Sequence, residues 1–375
     1  MFSKSGKISV MLLPRFEITN KILRNIGAIE AGREIIENAP LIPAYEKKFK
    51  GEVAARTVYH ATRLDGNDLS LAETQKLVEG GKITAGERDI QEVLNYRNVL
   101  HYLDEVVALA EKDSAFIFKE SQLLKIHSLV VEKIIAKNEA GAYRTAQVVL
   151  KNSLTGEIIF RPPPAIEIPY YVDEFLEWLN KNKADEIHPV LAAGVGLYLL
   201  YSIHPFIEGN GRTARSFANL ILAVKGYDAR KLFSLEEYFD NHNEEYYQAL
   251  MKVDQTHPQI FQRDLTGWLE FFSLALASEL SKAKEVIKSL SVDGKIKQLL
   301  GGKQVSLSER QLKLMDYLAE FGEIKMTEAK QIVPMVSDDT LLRDLLDLVK
   351  KGILKKKGST KKAVYLLRIK REVRS

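Results

Sequence analysis

The sequence predicts a mainly α-helical protein with one β-hairpin flap and a winged helix-turn-helix domain at its C-terminal end, and three observations carry the prediction. Apolar residues recur at helical spacing through nearly every segment up to about residue 284. Residues 144–160, RTAQVVLKNSLTGEIIF, break that period with two β-rich runs around a polar turn. Beyond residue 305, three short helical patterns are followed by strand, glycine turn and strand, which is the order of a winged helix.

Taken along the chain, helical patterns cover 19–37, 87–111, 119–135, 169–181, 190–203, 212–225 and 236–254. The run 190–203, VLAAGVGLYLLYSI, is apolar on every face but shorter than the roughly 20 residues that span a bilayer, so a buried helix and no membrane contact are expected. In the hairpin the strands flank 152–156, Pro162-Pro163-Pro164 stop the second strand, and Glu167-Ile168-Pro169 lead into the next helix. The pattern weakens over 289–304, with Gly301-Gly302 marking a boundary. We therefore expect an N-terminal helical region (1–110), a helical core (111–285), a linker (286–303) and a winged-helix domain (304–375). In the last, helices are expected over 306–321, 326–332 and 337–351, with Ser337 as N-cap of the third, and a basic hairpin over 352–367.

At 375 residues and 46% hydrophobic, the chain can bury more than one core. It contains no cysteine, which excludes disulfides, thiol nucleophiles and thiolate metal sites and is compatible with a reducing, cytoplasmic setting. The opening MFSKSGKISVMLLPRFE has neither the apolar length nor the cleavage site of a signal peptide. The net charge of +4 is uneven: residues 349–375 carry eleven Lys or Arg and one Glu, which leaves −6 for the rest. Polyanion contact is therefore expected only at the C-terminal end.

The chemistry concentrates in residues 202–215, SIHPFIEGNGRTAR, directly after the buried helix. Gly209-Asn210-Gly211 allows positive φ and turns backbone N–H groups inward as an anion nest. Arg212 then opens a helix whose N-terminus favours phosphate, and Arg215, three residues on, shares its face. Glu208 is a hard oxygen donor suited to Mg²⁺ accompanied by phosphates. His204 is the nearby group able to take a proton at neutral pH. Singly these residues are ordinary turn, terminator and surface types; in this order they point to a nucleoside triphosphate.

Residues 204–215, HPFIEGNGRTAR, match the Fic motif HPFx(D/E)GNGRxxR at every fixed position, and the chain resembles the Fic family over about 270 residues, including EVLNY at 92–96 and the hairpin with its three prolines. The resemblance implies a Fic-type helical domain that transfers AMP from ATP to a Ser, Thr or Tyr hydroxyl of a protein. It implies His204 as general base, Phe206 as loop anchor, Glu208 as Mg²⁺ ligand, and Gly209, Asn210, Gly211, Arg212 and Arg215 as phosphate-binding residues, Arg215 toward the γ-phosphate. It also implies a flap edge at Val148, Val149 and Leu150 that pairs with the target, and an adenine contact at Tyr247 and Asp254.

Many Fic proteins carry an inhibitory helix with the pattern (S/T)xxxE(G/N), whose glutamate pairs with the second motif arginine. Here Ala61 and Asp65 stand in the aligned positions. Aspartate is one methylene shorter, so its pair with Arg215 is expected to be strained, water-bridged or missing, with weaker autoinhibition and automodification as results. Asp65 as a plain turn residue before Gly66 is the other reading. In the third helix of the winged-helix domain, Asp338, Asp339, Asp344 and Asp347 are expected where base edges would be read, and the wing is basic, which fits phosphate tracking on DNA, a protein contact or a homodimer contact. The alternatives are a Fic-fold enzyme that uses another nucleotide or removes AMP, and a nucleotide-sensing DNA-binding regulator. His204 speaks against the last, since a sensor needs no base, and the complete GNGRxxR favours attack at the α-phosphate over the kinase orientation of Doc relatives.

Overall fold

The computed structural model describes residues 14–39, 41, 43–151, 156, 158–181, 187–290, 307–358 and 363–368. In chain order its elements are α1 (Asn20–Glu37), α2 (Pro43–Arg63), α3 (Leu71–Val78), α4 (Glu87–Ala110), α5 (Glu120–Val130), β1 (Leu150–Lys151), β2 (Ile158–Phe160), α6 (Ile168–Lys181), α7 (Pro189–Ile203), α8 (Asn210–Val224), α9 (Leu235–Asn241), α10 (Asn243–Asp254), α11 (Thr266–Leu290), α12 (Glu309–Phe321), β3 (Glu323–Lys325), α13 (Met326–Ile332), α14 (Asp338–Lys350), β4 (Leu354–Lys357) and β5 (Val364–Leu367). The chain divides into two compact units, one of residues 1–33 and 52–281, the other of 34–51 and 282–375. No helix among the described residues is long and apolar enough to cross a membrane.

The first unit is built around α7. Pro189 starts it, as a residue without an N–H can, and every residue from Val190 to Leu200 is buried. Two glycines let its neighbours approach closely: a Cβ on Gly194 would stand 2.8 Å from Leu269 Cδ2 of α11, and one on Gly196 2.9 Å from Ile221 Cδ1 of α8. Trp268 of α11 donates its indole N–H to Gly194 O at 2.7 Å, so a fully buried ring has its polar atom satisfied. The end of α2, with α3 and α4, forms a second apolar cluster of Val58, Ala61, Leu69, Leu77, Val93 and Tyr96.

Two expectations for this unit need correction. The single helix over 236–254 is broken at His242, which leaves helical dihedrals (φ −127°, ψ 42°) and stacks its ring on Tyr238 at 4.1 Å. The hairpin is much shorter than its β-rich sequence: Leu150 pairs with Phe160 and Lys151 with Ile158, with an irregularity between, while Val148 and Val149 lie outside the strand. Most of its turn, 152–155, is outside the described residues, as is most of the linker including Gly301-Gly302.

The second unit carries α12, α13 and α14 on a three-stranded antiparallel sheet ordered β3-β5-β4. Ser308 and Ser337 cap α12 and α14. Strand β3 was not expected; it follows Gly322, whose φ of 78° ends α12, and pairs Ile324 with Tyr365. Of the four acidic residues expected outward on α14, Asp338 and Asp339 are exposed, but Asp344 and Asp347 turn toward α12. Asp344 accepts from Arg310 Nε at 2.8 Å and Asp347 from Gln311 Nε2 at 2.8 Å, both on α12. The exposed stripe of α14 is Asp339, Arg343, Leu346 and Lys350, of mixed character. The wing residues 359–362 lie outside the described residues.

Packing at Gly196 gives a test. Gly196→Val places methyl groups where Ile221 and Phe175 already stand, and is expected to lower stability by about 1–3 kcal/mol, read as a lower denaturant midpoint at unchanged slope.

Candidate active site

The motif loop runs between the C-terminus of α7 and the N-terminus of α8. His204 ends α7 in the left-handed region (φ 49°, ψ 60°), which turns the chain sharply into Pro205. Its Nδ1 lies 3.3 Å from Tyr201 O. A carbonyl only accepts, so Nδ1 carries the proton and Nε2 is left with a free lone pair. Burial, with a smaller contribution from the Arg144 cation, pushes the His204 imidazole down to about 4, so it is neutral at pH 7.

Three side chains hold the loop's backbone. Asn210 closes it on itself: Phe206 N–H donates to Asn210 Oδ1 and Asn210 Nδ2 to Phe206 O, both at 2.9 Å. The side chain of this expected phosphate ligand thus gives one N–H and one lone pair to the loop itself. His127 of α5 donates from Nε2 to Glu208 O at 3.0 Å, accepts Gly141 N–H on Nδ1 at 2.9 Å, and stacks flat on the buried Phe206 ring at 3.7 Å. Both of its nitrogens are assigned, so it serves as a neutral strut, and burial pushes it down to about 4. Arg144, 5% exposed, donates to three carbonyls: His204 O at 2.9 Å, Ala146 O at 3.0 Å and Pro163 O at 2.7 Å. It binds the loop to both roots of the flap.

Gly209 has to be glycine on two grounds: its φ is 73°, and a Cβ would stand 2.8 Å from Val131 Cγ1. Val131 is held there by the end of α5, where Asn95 Nδ2 of α4 donates to Val130 O and Glu132 O at 3.1 and 2.8 Å. Gly211 leaves room on the other side, where Asp65 and Arg215 approach.

Arg212 and Arg215 are 3% and 2% exposed, and Asp65 lies between them. Its Oδ1 accepts from Arg215 Nη2 at 3.0 Å and its Oδ2 is 2.9 Å from Arg212 Nε. The expectation that aspartate falls short of Arg215 is therefore corrected. Asp65 sits on a turn two residues beyond the end of α2, its N–H bonded to Thr62 O at 3.1 Å. Arg215 Nη2 also donates to Ala61 O at 3.2 Å. Burial, the largest single influence, disfavours the Arg215 charge, but Asp65 together with Tyr246, Tyr247 and Tyr96 outweighs it and holds the guanidinium well above its usual value. The satisfaction is incomplete: Arg212 Nε and Nη1 and Arg215 Nε are buried with no acceptor in hydrogen-bond alignment, so the Arg212–Asp65 contact is electrostatic only.

Around this pair stand residues the sequence reading passed over. Glu92 of α4 has Oε1 3.5 Å from Arg212 Nη1 and 3.2 Å from Arg88 Nε, and its Oε2 accepts from Asn67 Nδ2 at 3.0 Å. Arg88 also pairs with the carboxylate of Glu208. Glu92 was within reach of sequence, in the EVLNY segment; His127 and Arg144 carry no local signal. Tyr247 borders the cradle, its OH 3.4 Å from Leu64 O beside Asp65. Asp254 does not join it there. Its Oδ1 accepts from Arg263 Nη1 at 2.6 Å and Tyr198 OH at 2.8 Å, so three charges and dipoles close on each other beneath α7.

A helical domain with this loop, this nest and these paired arginines defines a Fic-fold protein. Residues 117–222 match the model of the Fic/DOC family. It is 28% identical over 201 residues to a protein adenylyltransferase Fic of Culex quinquefasciatus, covering 53% of this chain and 38% of that one. It is 31% identical over 172 residues to protein adenylyltransferase fic-1 of Caenorhabditis elegans, covering 45% and 32%. The chain thus spans about a third of the length of these curated relatives. A solved Fic family protein from Desulfovibrio desulfuricans G20 shares the fold over 96% of this chain and 99% of its own, with a TM-score of 0.61 at 21% identity.

The two buried imidazoles set a pH dependence. Their folded values near 4 lie below the ordinary 6.5, so between these values the unfolded chain binds more protons. Their contribution is complete above about pH 6.5 and is lost as the pH falls toward 4. Thermal melts are expected to show that loss, and His127→Leu, though less stable at pH 7, to show a shallower one.

Proposed function

We propose that this chain is a protein adenylyltransferase that moves AMP from ATP onto a protein hydroxyl, with Asp65 as its built-in inhibitor. The observation that carries the reading is the pair of buried motif arginines, whose unaligned nitrogens fit an anion larger than one carboxylate. A triphosphate laid along the Gly209-Gly211 nest and the N-terminus of α8 would meet those nitrogens and displace Asp65. His204 Nε2 takes the proton of the target hydroxyl. The hydroxyl oxygen then forms the new bond to the α-phosphorus as the bond to the bridging oxygen breaks, and pyrophosphate leaves with that oxygen's electron pair. The flap, tied to the loop by Arg144, offers its edge beside His204 to an extended target segment.

Mg²⁺ fits only in company. Among the described residues no group of three or more His, Asp or Glu could hold a metal. Glu208 supplies one carboxylate, and phosphate oxygens and water would complete the shell, as Mg²⁺ prefers. A cation held there would neutralise phosphate charge, and Arg88 would have to release Glu208.

A second reading, a different nucleotide on the same cradle, draws on the engagement of Asp254, which leaves Tyr247 as the one expected base contact free to act. The test is incubation with Mg²⁺ and ATP labelled at the α-phosphate, read by intact mass and autoradiography. Label on the chain or on a lysate protein, one AMP per site, absent from His204→Ala and increased about tenfold or more by Asp65→Ala, is the expected outcome. No label from Asp65→Ala turns the reading toward another nucleotide. The rate is further expected to stay level from pH 8 down to about 6 and to fall only as the pH approaches the depressed His204 value of about 4.

A further inference from the structure

Arg212 faces two carboxylates of unlike character. Asp65 stands on the turn that nucleotide phosphate would push aside, whereas Glu92 stands on α4, 5% exposed and bonded through its other oxygen to Asn67. We infer that Glu92 is a positioning residue for nucleotide binding: it holds the Arg212 guanidinium in the cradle when phosphate replaces Asp65, and so selects for the phosphates of the ligand. The inference rests on the nucleotide reading above and concerns the same site.

The argument is one of charge and of acceptor count. Two guanidinium groups side by side repel, and each is nearly removed from water, so the departure of Asp65 leaves Arg212 free to turn from Arg215 unless a fixed anion holds it. Glu92 Oε1 is that anion, 3.5 Å from Arg212 Nη1. The same oxygen accepts from Arg88 Nε at 3.2 Å, so Glu92 also spaces the cation of Arg212 from that of Arg88. Arg88 and Asn67 donate to the Glu92 carboxylate, one to each oxygen, and the Arg212 cation faces the first oxygen as an ion pair. Only an acceptor-only group serves all three. A glutamine has the same shape, but its NH₂ would face either the Asn67 amide or the guanidinium pair, whichever way it turns. Asn67 is itself fixed by donating to Asp89 O at 3.1 Å and accepting Leu69 N–H at 3.2 Å, so it cannot flip to compensate. The turn bearing Asp65 and the arginine it inhibits are therefore referenced to a single carboxylate on α4.

Glu92→Gln in an Asp65→Ala background, where the cradle is free of its own carboxylate, isolates this role. Calorimetric binding of a non-hydrolysable α,β-methylene ATP and of adenosine is measured for both proteins, with thermal melts beside them. The expected result is a loss of about tenfold in affinity for the ATP analogue, within the range found for coupled contacts, with adenosine binding unchanged. Repeated with Arg212→Ala present in both proteins, Glu92→Gln should have no further effect on the analogue, since Glu92 acts through that arginine. Unchanged analogue affinity overturns the inference and leaves the nucleotide reading standing. Equal losses for the analogue and adenosine, following a lowered melting temperature, overturn it in favour of a purely structural carboxylate. An Asp65→Ala protein that binds the analogue no better than adenosine removes the nucleotide reading itself, and this inference with it.

Discussion

Two guanidinium groups that are almost wholly removed from water cannot stand side by side in a helical core without an anion between them, and this constraint organises the site. Desolvating each cation costs several kcal/mol, and their mutual repulsion adds to it. Asp65 meets the need in the present state, one carboxylate oxygen to each arginine. It does so incompletely, because a single carboxylate cannot supply aligned acceptors to all the nitrogens of two forks. In the proposed function a polyanion would make up that deficit, and the turn after α2 would have to give way to it. That turn is in turn anchored: His60 of α2 lies 2.7 Å from Asp240 of α9, and Arg56 donates to Glu237 at 2.9 Å, so displacing Asp65 works against contacts well away from the cradle.

Around this charged centre the loop is shaped mainly by groups that carry no charge at neutral pH. Asn210 closes it, His127 props it from below, and Gly209 seats it on Val130 and Val131. Buried imidazoles suit this work because each has one donor and one acceptor nitrogen and, when neutral, adds nothing to the surrounding field. The EVLNY face of α4 supplies support of a different kind. Glu92 faces the arginines, Asn95 caps α5 under Gly209, and Tyr96 donates to the buried Glu236 at 2.9 Å.

What could be read from sequence follows from how far apart the partners lie. His204, Glu208, the glycines and both arginines fall within a dozen residues, so their order already encodes a loop running into a helix N-terminus. The helices of the core were legible because their apolar period is long and strong. Asp65 was found by its alignment with the inhibitory pattern of Fic relatives, yet its reach was misjudged, because Arg215 is 150 residues away and nothing local in sequence fixes the distance between them. Arg144 and His127 act through carbonyl and amide groups of distant backbone, which leave no mark on composition or spacing. Local irregularity hid the rest: a break at His242, a hairpin whose described strand begins only at Leu150, and a strand of three residues after Gly322.

The fan of hydrogen bonds from Arg144 has a mechanical meaning. One guanidinium grips the carbonyl of His204 and those of Ala146 and Pro163 at the two feet of the flap, and its own N–H is tied to Pro205 O at 2.9 Å. The imidazole's pivot and the flap are thus a single lever with a common fulcrum. In the proposed function a pull on either foot of the flap would reach the backbone of His204 without passing through the helices, and base and flap would align together.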